Sequence, residues 1–132
     1  HFGSAEHLPQ MPKSTEELYV LTMKMLHFTI NDPRIILTRK LLLTEQFHDE
    51  RVCKLATKHF LIGTENIFTI IFEKMMEDGL LKKEDPKMLA FIYTAPVTTL
   101  IQLCTREPDK QEEVMRRIEE FIKYFIKTYG VK

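Results

Sequence analysis

Two stretches near the end of the chain, DPKMLAFIYTAPVTTLIQLCTR (residues 85–106) and QEEVMRRIEEFIKYFIKTYG (residues 111–130), decide the fold. In the first, apolar side chains fall at Leu89, Ile92, Tyr93, Pro96, Leu100, Leu103 and Cys104; in the second, at Met115, Ile118, Phe121, Ile122, Phe125 and Tyr129. Steps of three and four gather side chains on one face of a helix, so both stretches are predicted helices. The break Arg106-Glu-Pro-Asp109 separates them. Two long amphipathic helices in sequence present a surface on which another chain can pack.

The same logic extends toward the N-terminus. Ser14-Thr-Glu-Glu17 matches a capping box, which predicts a helix from Thr15 with apolar stripes Leu18, Leu21, Met25, Phe28 and Tyr19, Met23, Leu26, Ile30. Asn31 ends it. Asp32-Pro33 starts the next, because aspartate caps well and proline gives up an amide that has no helical partner. Ile36, Leu37, Lys40, Leu41, Leu43 and Thr44 carry that helix to about Gln46. A long pattern then runs from His48-Asp49-Glu50 to Glu77-Asp78, with Gly79 as a left-handed stop and Gly63 near its middle. Asp85-Pro86 repeats the aspartate–proline start, Asp109 with Glu112 offers a second capping-box-like start, and Gly130 supplies the last stop. No run alternates as a strand would. The expected fold is all-α: one domain of about five helices over residues 14–132, with residues 1–13 a linker or the end of a preceding helix.

Composition removes several functions. Nineteen basic and nineteen acidic side chains cancel without collecting into blocks, which argues against direct binding of a polyanion. Uninterrupted apolar runs such as Ile70-Ile71-Phe72 are far below the roughly 20 residues of a membrane span, so no membrane partner is expected. Cys53 and Cys104 sit in apolar helical patterns and are expected as buried, reduced thiols, which fits a cytoplasmic protein. Glu45, His48 and Asp49 lack a second histidine at zinc-helix spacing, and His1 and His7 are terminal; no metal or other cofactor is expected. Neither cysteine lies at a helix N-terminus, where a thiolate is favoured, and Ser4 and Ser14 are near the start, so no catalytic residue is identified. His59 reads as a surface or hydrogen-bonded histidine.

Methionine and phenylalanine are the residues that point to binding. Met23, His27 and Phe28 on the first helix, with Phe60, Thr64, Phe68, Phe72 and Met75 on the long one and Thr94 on the fourth, are candidate walls of a ligand pocket. Thioethers repack and rings give flat walls, while His27, Thr64 and Thr94 would orient a ligand. The alternative is a helical bundle for protein interaction, with a filled core and no ligand.

The order of these pieces resembles the C-terminal ligand-binding and dimerisation domain of tetracycline-repressor (TetR) family transcriptional regulators. The likeness covers about residues 14–130. It is carried by Glu17-Leu18 leading to Asn31-Asp-Pro-Arg34, Leu41-Leu-Leu-Thr-Glu45, Phe68 through Met75-Met-Glu-Asp-Gly79, Asp85-Pro86 with Ala90, and Phe121-Ile-Lys-Tyr-Phe125 to Tyr129-Gly130. The resemblance implies a homodimer joined by a four-helix bundle of the last two helices, a small, largely apolar effector, and a repressor role. The family's N-terminal helix-turn-helix is absent from this sequence, so operator DNA would be met only through that missing domain. On this reading Leu89, Tyr93, Pro96, Val97, Leu100, Ile118, Phe121, Ile122 and Phe125 are candidates for the dimer seam.

Overall fold

The computed structural model describes residues 10–131. It is all-α, with helices α1 (Thr15–Asn31), α2 (Pro33–Glu45), α3 (Glu50–Thr57), α4 (Gly63–Glu77), α5 (Pro86–Arg106) and α6 (Gln111–Tyr129). A π-helical turn, Lys58–Ile62, joins α3 to α4 without interruption, so five rods are present among the described residues. The expectations for His1, Ser4 and His7 lie outside the described residues. Met11 packs against the core and Pro12 is buried, so the domain begins before the predicted linker ends.

Local chemistry sets most boundaries. Ser14 Oγ accepts from the Glu17 amide at 3.0 Å, but the Glu17 carboxylate takes the Lys13 amide, also at 3.0 Å, instead of closing a box on Ser14. Asp32 Oδ1 accepts from the Arg34 and Ile35 amides, and Asp85 Oδ1 from the Lys87 amide at 3.0 Å. At the end of α4, Gly79 (φ +75°) donates to Met76 and Leu80 donates to Met75, a Schellman stop that needs the left-handed residue. Gly130 is different: its backbone is extended, and a Cβ there would lie 2.6 Å from the Ile126 carbonyl oxygen. Asp109 does not cap α6. Pro108 opens a short 3₁₀ turn, Pro108–Lys110, and the residue preceding α6, Lys110, makes no side-chain cap.

The core lies where α1, α4, α5 and α6 meet. Tyr93 is its hub, with ring centroids 5.1 Å from Phe68, 5.1 Å from Phe72 and 4.6 Å from Phe125. This corrects the predicted seam. Leu89, Tyr93, Ile118, Ile122 and Phe125 are at most 2 % exposed within one chain and belong to its core. Val97, Leu100 and Phe121 are half-buried and pack on that core; Pro96, inside α5, is half-buried as well. Side chains that one copy already encloses are not available to a second.

The outward face of α5 is apolar too. Met88, Phe91 and Ile92 are 55 %, 45 % and 36 % exposed, and Ala95 and Thr99 extend the row by a turn each. Consequently α5 has the length and composition of a membrane span, although the short uninterrupted runs suggested none. The outer face of α6 is charged instead, with ion pairs Glu119–Lys123 at 3.1 Å and Arg116–Glu120 at 3.2 Å. Arg116 thus turns forward to Glu120, and no ion pair of Arg116 with Glu112 or of Glu113 with Arg117 is formed among the described residues. Cys104 is buried as expected, but Cys53 is exposed; both are free thiols.

Candidate ligand-binding cavity

A cavity of about 390 Å³ lies between α1, α2, the π turn with the start of α4, and α5. On α1, Thr22, Met25, Leu26 and Thr29 line it because they recur at helical spacing on one face; on α5, Tyr93, Thr94, Val97, Thr98 and Ile101 do the same. α2 supplies Ile35, Thr38 and Arg39. The π turn contributes most through its shape. Its wide closure, Gly63 amide to Lys58 carbonyl, sets His59 and Phe60 toward the cavity, in line with Thr64 and Phe68 on α4. Leu26, Phe68 and Tyr93 form the buried end, and Phe28 and Arg34, both exposed, stand at the mouth.

Of the predicted pocket residues, Phe28, Phe60, Thr64, Phe68 and Thr94 line this space. Phe72 and Met75 do not: both are fully buried in the core behind it. Met23 and His27 also lie elsewhere, in a shallow groove on the outer side of α1 with Tyr19, Val20 and Lys24. A residue one helical step away points to another face, so Met25 and Leu26, not Met23, reach the cavity.

Two polar arrangements organise the walls. Thr22 donates its hydroxyl hydrogen to the Leu18 carbonyl at 2.8 Å, so Tyr93, 2.6 Å away, must donate to Thr22. That bond clamps α1 to α5 beside the cavity. Burial pushes the Tyr93 hydroxyl far above its ordinary ionisation range, which keeps it a donor.

The second arrangement centres on Arg39, only 3 % exposed. Its Nε donates to Thr105 Oγ1 at 2.7 Å and its Nη1 to the Thr29 carbonyl at 3.0 Å, tying α2 to α5 and to α1. No carboxylate lies within ion-pair distance of it among the described residues. Burial lowers the Arg39 pKa, yet a guanidinium stays protonated at neutral pH. Across the cavity, His59 is held below its ordinary value, first by burial and then by the positive charge of Arg39, so its imidazole is neutral at pH 7.

Sequence reasoning missed Arg39, His59 and Tyr93 as cavity residues. The signal for Arg39 was weak but present: it is three residues before Leu42, and those two are the buried residues of α2, whereas Leu37 and Leu41 are 58 % and 53 % exposed. No group of three or more His, Cys, Asp or Glu side chains able to hold a metal occurs among the described residues. In comparisons with known proteins, no protein family, curated protein or solved structure matches the chain.

Proposed function

We propose that this domain binds a small, largely apolar molecule in the cavity and serves as the sensing half of a transcriptional regulator. The observation that carries binding is the cavity itself. Its 390 Å³ falls within the roughly 300–1,000 Å³ of small-molecule sites, and its walls combine aromatic and aliphatic side chains with a few fixed polar groups. A space of this volume, open at Phe28 and Arg34, is not what a bundle with a filled core would leave, so the interaction bundle is the weaker reading. The regulatory role rests on the resemblance of the helix order to TetR-type sensor domains.

A second copy is the proposed partner, and the support for it is the outward row Met88, Phe91, Ile92 and Ala95 on α5. In this arrangement α5 packs against its counterpart, with the charged face of α6 at the margin. Effector binding between α1, α2 and α5 would then alter the spacing of two DNA-binding domains lying outside this sequence.

Titration with the neutral fluorescent probe N-phenyl-1-naphthylamine tests the binding site. Saturable emission at one probe per chain is expected, weakened at least about tenfold by Val97→Phe, which grows a ring into the cavity, and unchanged by Phe91→Asp on the outer face. Absence of saturable binding, or equal binding by Val97→Phe, would refute the site.

A further inference from the structure

Arg39 is a buried cation with no counter-charge within ion-pair distance among the described residues. Of the five N–H groups of its guanidinium, two have protein acceptors, Thr105 Oγ1 and the Thr29 carbonyl. Nη2 takes none. No buried side-chain nitrogen or oxygen among the described residues is both sealed from solvent and unpartnered, so Nη2 keeps some access. Arg39 is 3 % exposed and lines the cavity. Asp32, the one carboxylate on the cavity wall among the described residues, sits at the α1–α2 junction with its Oδ1 held by the Arg34 and Ile35 amides, and does not reach Arg39. Isolated buried charges are strongly disfavoured, and those that persist are paired or bind something that pairs them.

We propose that the occupant of the cavity is an amphipathic carboxylate, its head held by the free edge of the Arg39 guanidinium and its apolar body lying among Leu26, Phe68, Tyr93 and Ile101. The inference rests on the reading of the cavity as a ligand site and adds the charge of the ligand. The planar guanidinium fork matches a carboxylate better than any other small anion of an apolar molecule. A cationic amphiphile meets a like charge, and a neutral one can accept a hydrogen bond but leaves the guanidinium charge unpaired. The threonines that face the cavity reinforce the polarity. Thr94 donates to the Ala90 carbonyl at 2.9 Å, as Thr22 does to Leu18, so these two hydroxyls beside the buried end are spent as donors, while the other cation on the wall, Arg34, is exposed at the mouth. Because Arg39 bonds to α1 and α5 from α2, a head group docked there would engage three helices at once.

Calorimetric titration of the full chain at pH 7.5 with decanoate, 1-decanol and decylammonium tests this with one tail and three head charges. Decanoate is expected to bind at least about tenfold more tightly than decanol, the increment of a charge-assisted hydrogen bond, with decylammonium weakest. Arg39→Met should remove the preference for decanoate while changing decanol affinity less than about threefold, and Arg39→Lys, which keeps charge without the fork, should retain part of it. Decanol equal to or tighter than decanoate overturns the carboxylate assignment and leaves the ligand site standing. If none of the three binds, both fall. Should Arg39→Met fail to fold, the ranking of the three ligands on the unmodified chain still decides.

Discussion

The clamp between Thr22 and Tyr93 gives the sharpest energetic prediction. Tyr93 donates to Thr22 at 2.6 Å, and Thr22 passes its own hydrogen to the Leu18 carbonyl; both side chains are nearly inaccessible. Tyr93→Phe keeps the ring and its aromatic neighbours but removes the donor, at a cost of about 1 kcal/mol. Thr22→Val keeps the shape and strips the acceptor. It leaves the Tyr93 hydroxyl buried without a partner, a penalty of about 2 kcal/mol, whereas the Leu18 carbonyl retains its helical bond. The double variant leaves neither polar atom, so its cost should be about 1 kcal/mol, well below the sum of the singles. The coupling in the cycle is then about 2 kcal/mol. Urea unfolding followed by circular dichroism measures all four proteins, and in a chain of 132 residues each 1 kcal/mol also moves Tm by about 3–5 °C. Additivity within about 0.3 kcal/mol would refute the clamp.

Three further outcomes follow from the same geometry. Arg39→Met should change the stability of the empty protein by less than about 1 kcal/mol, because the two bonds it loses are offset by relief of a buried unpaired charge; a loss above about 3 kcal/mol in urea unfolding would make Arg39 a structural tie instead. Folding holds His59 below its ordinary value, so the folded state binds fewer protons than the unfolded one. Stability is therefore full above about pH 6.5 and declines as pH falls through the lower folded value; urea midpoints between pH 8 and pH 5 should show this decline, reduced in His59→Asn. The lowered carboxylates Asp49 and Glu119 act in a more acidic window and do not confuse that comparison. Finally, Phe91→Asp should yield a folded monomer by light scattering, while Phe125→Asp should fail to fold, since Phe125 is 1 % exposed inside the core.

What the sequence made legible was local chemistry. Asp32-Pro33, Asp85-Pro86, Ser14 and Gly79 mark helix ends in the structure because a capping oxygen or a left-handed glycine acts within a few residues of itself. Asp109 looked equivalent, but Pro108 draws that segment into a 3₁₀ turn and the side chain is not used. Faces were harder. α2 carries Ile35, Ile36, Leu37, Leu41, Leu42 and Leu43 nearly all round, so apolar counting picks no side, and the buried side is the one bearing an arginine. On α5 the strongest periodic row, through Leu89 and Tyr93, reads from spacing as a seam but is the subunit core; the row through Met88, Phe91 and Ile92 is the one left outside. Which of two apolar faces meets its own chain depends on distant helices, not on spacing. Gly63, whose amide closes the π turn at Lys58–Ile62, marks a break in the long pattern but not its kind, and spacing alone gives no reason to place His59 at the cavity.

The central claim, that the space between α1, α2, α4 and α5 is a ligand site, is tested most directly by a crystal of the chain grown with 10-bromodecanol. A bromine anomalous signal is expected inside the cavity, with the alkyl chain against Leu26, Phe68 and Ile101. A cavity closed by its own side chains, with bromine only at the outer surface, would contradict it.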